Sequence, residues 1–125
     1  MAAIAPATAE LVARLAVIAG QIGSTVLSNR KGQVEKDRED FYKRAKKYHA
    51  RLREMLENRD KSPRGLADDL AEDDLFSFVA SNDNAEEISR ALRFADGVRR
   101  RDRAAVLRAV LRVLERVTVT SLQKD

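Results

Sequence analysis

Residues 34 to 55, VEKDREDFYKRAKKYHARLREM, indicate the fold class because their apolar side chains recur at alternating steps of four and three. Arg38 occupies the one position in this pattern that is not apolar; the other positions are Val34, Phe41, Ala45, Tyr48, Leu52 and Met55. A narrow apolar seam of this period is typical of a long amphipathic helix that buries one face. We therefore expect a long second helix between residues 30 and 61.

Basic residues cover the part of this helix that lies opposite the seam. Successive residues turn by about 100° around a helix axis, which spreads six bases over the opposite arc: Lys43, Arg44, Lys46, Lys47, Arg51 and Arg53. Three interpretations stay open for them: a solvated face, a surface for nucleic-acid backbone or another anion, and a surface for an acidic protein.

The segment before this helix predicts a first long helix. Thr8 is a suitable N-cap, so we interpret residues 1–7 as a loose tail. One apolar stripe follows, made of Leu11, Leu15, Ile18, Ile22 and Val26. A second row contains only small residues, namely Ala16, Gly20 and Ser24. This row predicts either a close helix crossing inside the core or a face for self-association.

Charge divides the chain into basic, acidic and basic blocks. Residues 65–89 contain eight acids and no Lys or Arg, whereas residues 30–61 carry twelve bases against seven acids. The acidic block also has many apolar residues, so we expect one or two short helices, beginning after the Ser62-Pro63 boundary. We expect this block to lie against a basic surface, either its own or that of another copy.

The last third of the chain predicts two more helices. Asn84 and Glu87 have the spacing of a capping box, Gly97 ends the helix that they begin, and Asp102 can cap the last one. Nine arginines against three acids make residues 90–116 basic. Three of them stand at steps of four opposite a broad apolar face: Arg108, Arg112 and Arg116. Guanidinium groups suit phosphates, although a GC-rich genome also favours arginine codons. The β-branched stretch 117–122 is expected to fray or to be extended.

These patterns together predict an all-α fold. We expect a single helical domain over residues 1–125, a compact bundle of four to six helices whose first, second and last members are long. The composition agrees, with two prolines, five glycines and 35% charged residues.

The sequence offers little for catalysis or for a cofactor. It has no cysteine, and His49 is its one histidine, which we interpret as a solvated surface residue. The acids near residue 70 lack the alternating pattern of a calcium loop, and no glycine-rich phosphate loop or nucleophile motif occurs. We predict that the protein is not an enzyme and has no metal, cofactor or small-molecule substrate. Residues 15–27 are uncharged but shorter than the roughly 20 residues of a membrane span, so we expect a cytoplasmic protein without a membrane partner.

What remains is binding. We expect a non-catalytic accessory subunit that contacts RNA or single-stranded DNA through the backbone, without sequence specificity, inside a larger assembly. In size, charge and helicity the chain resembles the small subunits of multi-protein CRISPR effector complexes, which are non-catalytic and line a guide–target duplex. Phage structural proteins and secretion-system chaperones share this outline. The alternative is therefore a protein scaffold or chaperone whose basic helices bind an acidic partner. Opposite charge blocks also permit head-to-tail self-association.

Overall fold

The computed structural model describes five helices within residues 4–29, 35–58, 63–72 and 82–122, and side chains within residues 4–21, 43–58, 63–70 and 86–116. These helices are α1 (Pro6–Asn29), α2 (Glu35–Glu57), α3 (Pro63–Glu72), α4 (Asn82–Asp96) and α5 (Arg100–Leu122). The described residues contain no strand, and helices from distant parts of the chain pack together. The all-α prediction, with long first, second and last helices, is confirmed.

The last helix, α5, is the centre of the fold because α1, α2 and α4 all pack against it. It runs parallel to α1, since Thr8 contacts Asp102 near the start of both helices. It runs antiparallel to α2, since Arg103 donates a 3.5 Å hydrogen bond to the Met55 carbonyl and His49 lies beside Glu115. The short α3 packs mainly on α4. The result is a layer of α1, α5 and α2, with α4 and α3 covering one of its sides.

The core is built from the apolar stripes that the periodicity indicated. Its largest side chains with almost no exposed surface are Leu15, Leu52, Leu66, Ile88, Leu92, Leu107, Leu114 and Val106. The described members of the seam on α2, from Ala45 to Met55, are also buried. Val34 lies outside the described residues, as do the side chains of Phe41, Ile22 and Val26. Burial of one helical face thus explains the fold, because intrinsic helix propensity alone seldom stabilises helices of this length.

Helix starts differ from the expected ones by two residues. The helix α1 begins at Pro6, a position where proline is favoured, so Thr8 lies in the first turn and the interpretation of residues 1–7 as a tail is wrong for Pro6 and Ala7. Asp102 likewise lies in the first turn of α5, which begins at Arg100.

The start of α4 shows the same difference. It begins at Asn82, so Asn84 lies inside it, and the Glu87 carboxylate contacts Arg14 and Arg90. Pro63 is the first residue of α3, as expected, while Ser62 lies outside the described residues. Differences of this size are usual, because helix ends fray and their assigned boundaries vary by one or two residues.

The prediction for the C-terminal stretch is wrong. Residues 117–122 neither fray nor extend, because the backbone of α5 stays helical to Leu122. The helix-propensity cost of a β-branched residue is below about 0.7 kcal/mol. An existing helix gains a hydrogen bond with each residue that it adds, which offsets a cost of this size.

Candidate nucleic-acid interface

Five of the six bases predicted on α2 lie on two different flanks of that helix, and Lys43 lies between those flanks. Arg51 faces α3, where its Nη1 lies 2.6 Å from Oδ2 of Asp69. Lys47 and Arg44 stand four and seven residues before Arg51 and therefore share this flank. The Lys47 ammonium and the Arg51 guanidinium also lie 5.7 Å and 6.0 Å from the centre of the Tyr48 ring, within the reach of cation–π attraction.

The other flank of α2 faces the side of α5 that carries Glu115. His49 marks it, because its Nε2 lies 3.3 Å from Oε1 of Glu115. Lys46 stands three residues before His49 and Arg53 four residues after it, so both follow the same side of the helix. Both side chains are exposed. His49 itself is 25% exposed, so it is a surface residue that Glu115 and its neighbours partly cover.

The arginine row of α5 lies on the surface. Arg108, Arg112 and Arg116 are all exposed. Among the side chains that the structure describes, no carboxylate lies within ion-pair distance of these three guanidinium groups. The row therefore presents three positive charges to solvent.

The contact between His49 and Glu115 joins these two rows into one surface. Glu115 stands three residues after Arg112 and seven after Arg108, so it belongs to the side of α5 that carries those arginines. We call the combined surface the outer basic face, and it consists of Lys46, Arg53, Arg108, Arg112 and Arg116.

The remaining predicted site residues do not belong to this surface. Arg44, Lys47 and Arg51 lie on the flank towards α3, and Lys43 points away from the seam between the two flanks. From the sequence we grouped all six bases of α2 together, because helical periodicity shows only that their side chains avoid the core. It does not show which neighbouring helix lies on each side.

Acidic residues of the middle block neutralise arginines of the same chain. Asp69 pairs with Arg51 at 2.6 Å, and Asp68 pairs with Arg93 at 3.2 Å. Glu87 accepts a hydrogen bond of 3.2 Å from Arg14, so it connects α4 to α1. This bond and the charge of Glu10 raise the pKa of the Arg14 guanidinium. These contacts place parts of the acidic block against basic groups of its own chain, and head-to-tail self-association stays a prediction.

A groove that the sequence did not predict runs between α1 and α5 beside the outer basic face. It has a volume of about 420 Å³. Ala16, Ala19 and Ala109 contribute to its apolar lining, and Arg112 and Arg116 reach its edge. Of the row of small residues noted in the sequence, Ala16 lines this groove, whereas Gly20 is not among the lining residues.

The small-residue row does not form a close crossing inside the core. Ala16 and Gly20 are exposed, and a Cβ atom placed on Gly20 would have nothing within 4 Å. The Ser24 side chain lies outside the described residues. The interpretation as a crossing within the chain is therefore wrong at both described positions, because the larger side chains of the stripe at Leu15 and Ile18 face the neighbouring helices instead.

The described residues hold no cluster of three or more His, Asp or Glu side chains that could bind a metal ion. Within the same ranges, no helix combines the length and the apolar character that crossing a bilayer requires. Comparison of the chain with protein-family models, with curated proteins and with solved structures found no match.

Proposed function

We propose that this chain is a non-catalytic accessory subunit that holds RNA or single-stranded DNA by its phosphate backbone, without sequence specificity, within a larger cytoplasmic assembly. The outer basic face supports the proposal. Its arginines on α5 are exposed and, among the described side chains, lack carboxylate partners. By contrast, Arg14, Arg51 and Arg93, which lie elsewhere on the chain, pair with Glu87, Asp69 and Asp68 of the acidic block.

The spacing of the arginine row suits a linear polyanion. Four helical residues advance about 6 Å along the axis, so the row repeats its charge at short, regular intervals. Guanidinium groups donate two parallel hydrogen bonds to phosphate oxygens and stay charged at every physiological pH. Lys46 and Arg53 on α2 widen the row into a track that a single strand can follow.

The chain has few means of reading bases. Aromatic residues make up 5% of the sequence, and Tyr48 is buried. Base stacking is therefore a minor contribution, and the binding free energy comes mainly from release of counterions. Affinity should then be nearly independent of sequence and should fall steeply with salt.

The test compares two double charge reversals that change the net charge equally. Arg53→Glu with Arg108→Glu alters the outer basic face without changing the groove, and Lys43→Glu with Lys47→Glu alters the other side of α2. Binding of labelled single-stranded RNA and DNA of mixed sequence is measured by fluorescence anisotropy over a range of salt concentrations. Circular dichroism checks that each variant is folded.

We expect the first variant to bind more weakly than the second with every oligonucleotide. The slope of log affinity against log salt should become shallower by about 0.7 for each phosphate that the variant no longer neutralises. Equal weakening by both variants would show that net charge alone matters. If the wild type binds neither nucleic acid at concentrations near 100 μM, roughly the upper end of ordinary non-specific affinities, the proposal is wrong and the scaffold or chaperone alternative gains support.

A further inference from the structure

The groove between α1 and α5 has the form of a site for another helix. Its walls are two parallel helices, and its floor consists of small side chains such as Ala16, Ala19 and Ala109. Small side chains let a third helix approach to the axial distances of about 8 to 10 Å that are usual for packed helices. A floor of this kind has little to offer a nucleobase, since it provides neither an aromatic ring nor a hydrogen-bonding edge.

The apolar surface continues from the groove onto the outer side of α1. Ala13, Ala16, Val17 and Gly20 are all exposed there. Val17 is the large hydrophobic residue most clearly open to solvent in the described part of the chain, at 59% exposure. Contiguous apolar patches on a protein surface often mark sites of association with another protein.

The two edges of the groove differ in charge, and this difference indicates which charges a partner helix must carry. The edge on α5 carries Arg112 and Arg116, which have no carboxylate partner among the described side chains, together with Glu115, which contacts His49. The edge on α1 carries no charge from Leu15 to Gln21. A helix in this groove therefore needs an apolar face and acidic residues on the flank that lies along α5.

Helix α3 of a second copy of this chain, which is part of its acidic block, is a poor occupant. In the described part of the acidic block, Leu66, Ala67 and Leu70 are buried in the chain's own core. Asp68 and Asp69 of the same helix already pair with Arg93 and Arg51. An acidic amphipathic helix from a different protein supplies the apolar face and the acidic flank, and no ion pair within this chain has to break.

We infer that the groove between α1 and α5 binds an amphipathic helix of a partner protein, with its apolar face on Ala16, Ala19 and Ala109 and its acidic flank against Arg112 and Arg116. This inference does not rest on the proposed nucleic-acid binding. The two sites meet at Arg112 and Arg116, but the groove lies on the α1 side of those residues and Arg53 and Arg108 lie away from it.

The probe is a synthetic helical peptide of about 18 residues, or five turns. It carries leucine and alanine on one face, glutamate at every fourth residue of one flank, and glutamine elsewhere. A second peptide has lysine in place of every glutamate. Binding of each labelled peptide is measured by fluorescence anisotropy with the wild type and four variants.

Two variants test the apolar floor and two test the charged edge. Ala16→Trp fills the groove without changing charge, and Gly20→Ala is its control, because the added methyl group meets nothing within 4 Å. Arg112→Glu with Arg116→Glu reverses the edge, and Arg53→Glu with Arg108→Glu is the matched reversal outside the groove. Ala16→Glu replaces Ala16→Trp if circular dichroism shows that the tryptophan variant is not folded.

We expect the acidic peptide to bind the wild type and the Gly20→Ala variant, and to lose at least tenfold in affinity with Ala16→Trp. Reversal of Arg112 and Arg116 should abolish its binding and confer binding of the lysine peptide. Reversal of Arg53 and Arg108 should have a much smaller effect. Nucleic-acid binding of the Ala16→Trp variant should equal that of the wild type, so the two proposals can fail separately.

Several results would overturn the inference. One is an acidic peptide that binds Ala16→Trp as well as it binds the wild type, which would place binding outside the groove. Another is equal weakening by the two charge reversals, which would reduce the effect to general attraction. Failure of the wild type to bind the acidic peptide at concentrations up to about 100 μM, well above the micromolar dissociation constant of a modest specific complex, would also exclude it.

Discussion

The Oγ1 hydroxyl of Thr8 donates a hydrogen bond of 2.9 Å to Oδ2 of Asp102, and this bond joins the first turns of α1 and α5. Thr8 is fully buried and Asp102 is 8% exposed. Oδ1 of the same carboxylate accepts a longer bond of 3.4 Å from the backbone nitrogen of Ala5, just before α1. One carboxylate therefore stands at the positive ends of two helix dipoles, where a negative charge is stabilising.

The first prediction concerns this hydrogen bond. Thr8→Val keeps the shape of the side chain but leaves Oδ2 of Asp102 without its donor in a buried place. We expect the free energy of unfolding to fall by about 1 to 3 kcal/mol, the usual cost of an unsatisfied buried polar group. Chemical denaturation measures it. In a double-mutant cycle with Asp102→Ala the two losses should not add, and simple additivity would show that the bond contributes nothing.

The second prediction concerns the seam on α2. Leu52 has no exposed surface, so Leu52→Ala leaves a cavity and should lower the free energy of unfolding by about 2 to 5 kcal/mol. Val17→Ala is the control, because Val17 is 59% exposed, and it should change stability by less than about 0.5 kcal/mol. Thermal and chemical denaturation measure both. Similar losses for the two variants would contradict the assignment of the buried face.

The third prediction separates an exposed glycine from one needed for close packing. Gly20 lies within α1 and has open space around it, so Gly20→Ala should raise the free energy of unfolding by about 1 kcal/mol through helix propensity. The reverse change at an exposed site of the same helix, Ala13→Gly, should lower it by a similar amount. If Gly20→Ala instead lowered the free energy of unfolding, another helix would have to pack closely against Gly20, as the sequence suggested.

The fourth prediction concerns the ion pair between Arg51 and Asp69. The two side chains are 30% and 52% exposed, so water and salt screen their attraction. A double-mutant cycle with Arg51→Gln and Asp69→Asn should give a coupling of about 0.2 to 1 kcal/mol, which decreases at high salt. A larger coupling that salt does not change would mean that the pair acts as a buried contact.

The sequence alone predicted the helical class and the main apolar stripes that α1, α2, α4 and α5 bury. Both follow from local geometry, because a side chain's position around a helix depends only on its number along the chain. The buried residues Ala45, Tyr48, Leu52 and Met55 on α2 could therefore be predicted before any contact was known. The exposure of Arg108, Arg112 and Arg116 followed from the same periodicity.

Which exposed residues share a surface depends on how the helices pack together. Arg51 and Arg53 are two positions apart, yet Arg51 meets Asp69 on α3 while Arg53 lies on the side where His49 meets Glu115 on α5. The groove and the shared role of Asp102 arise in the same way, from residues far apart in the chain. Periodicity shows that a residue avoids the core, but the helix that lies beside it depends on how all the apolar stripes pack together, which no local pattern contains.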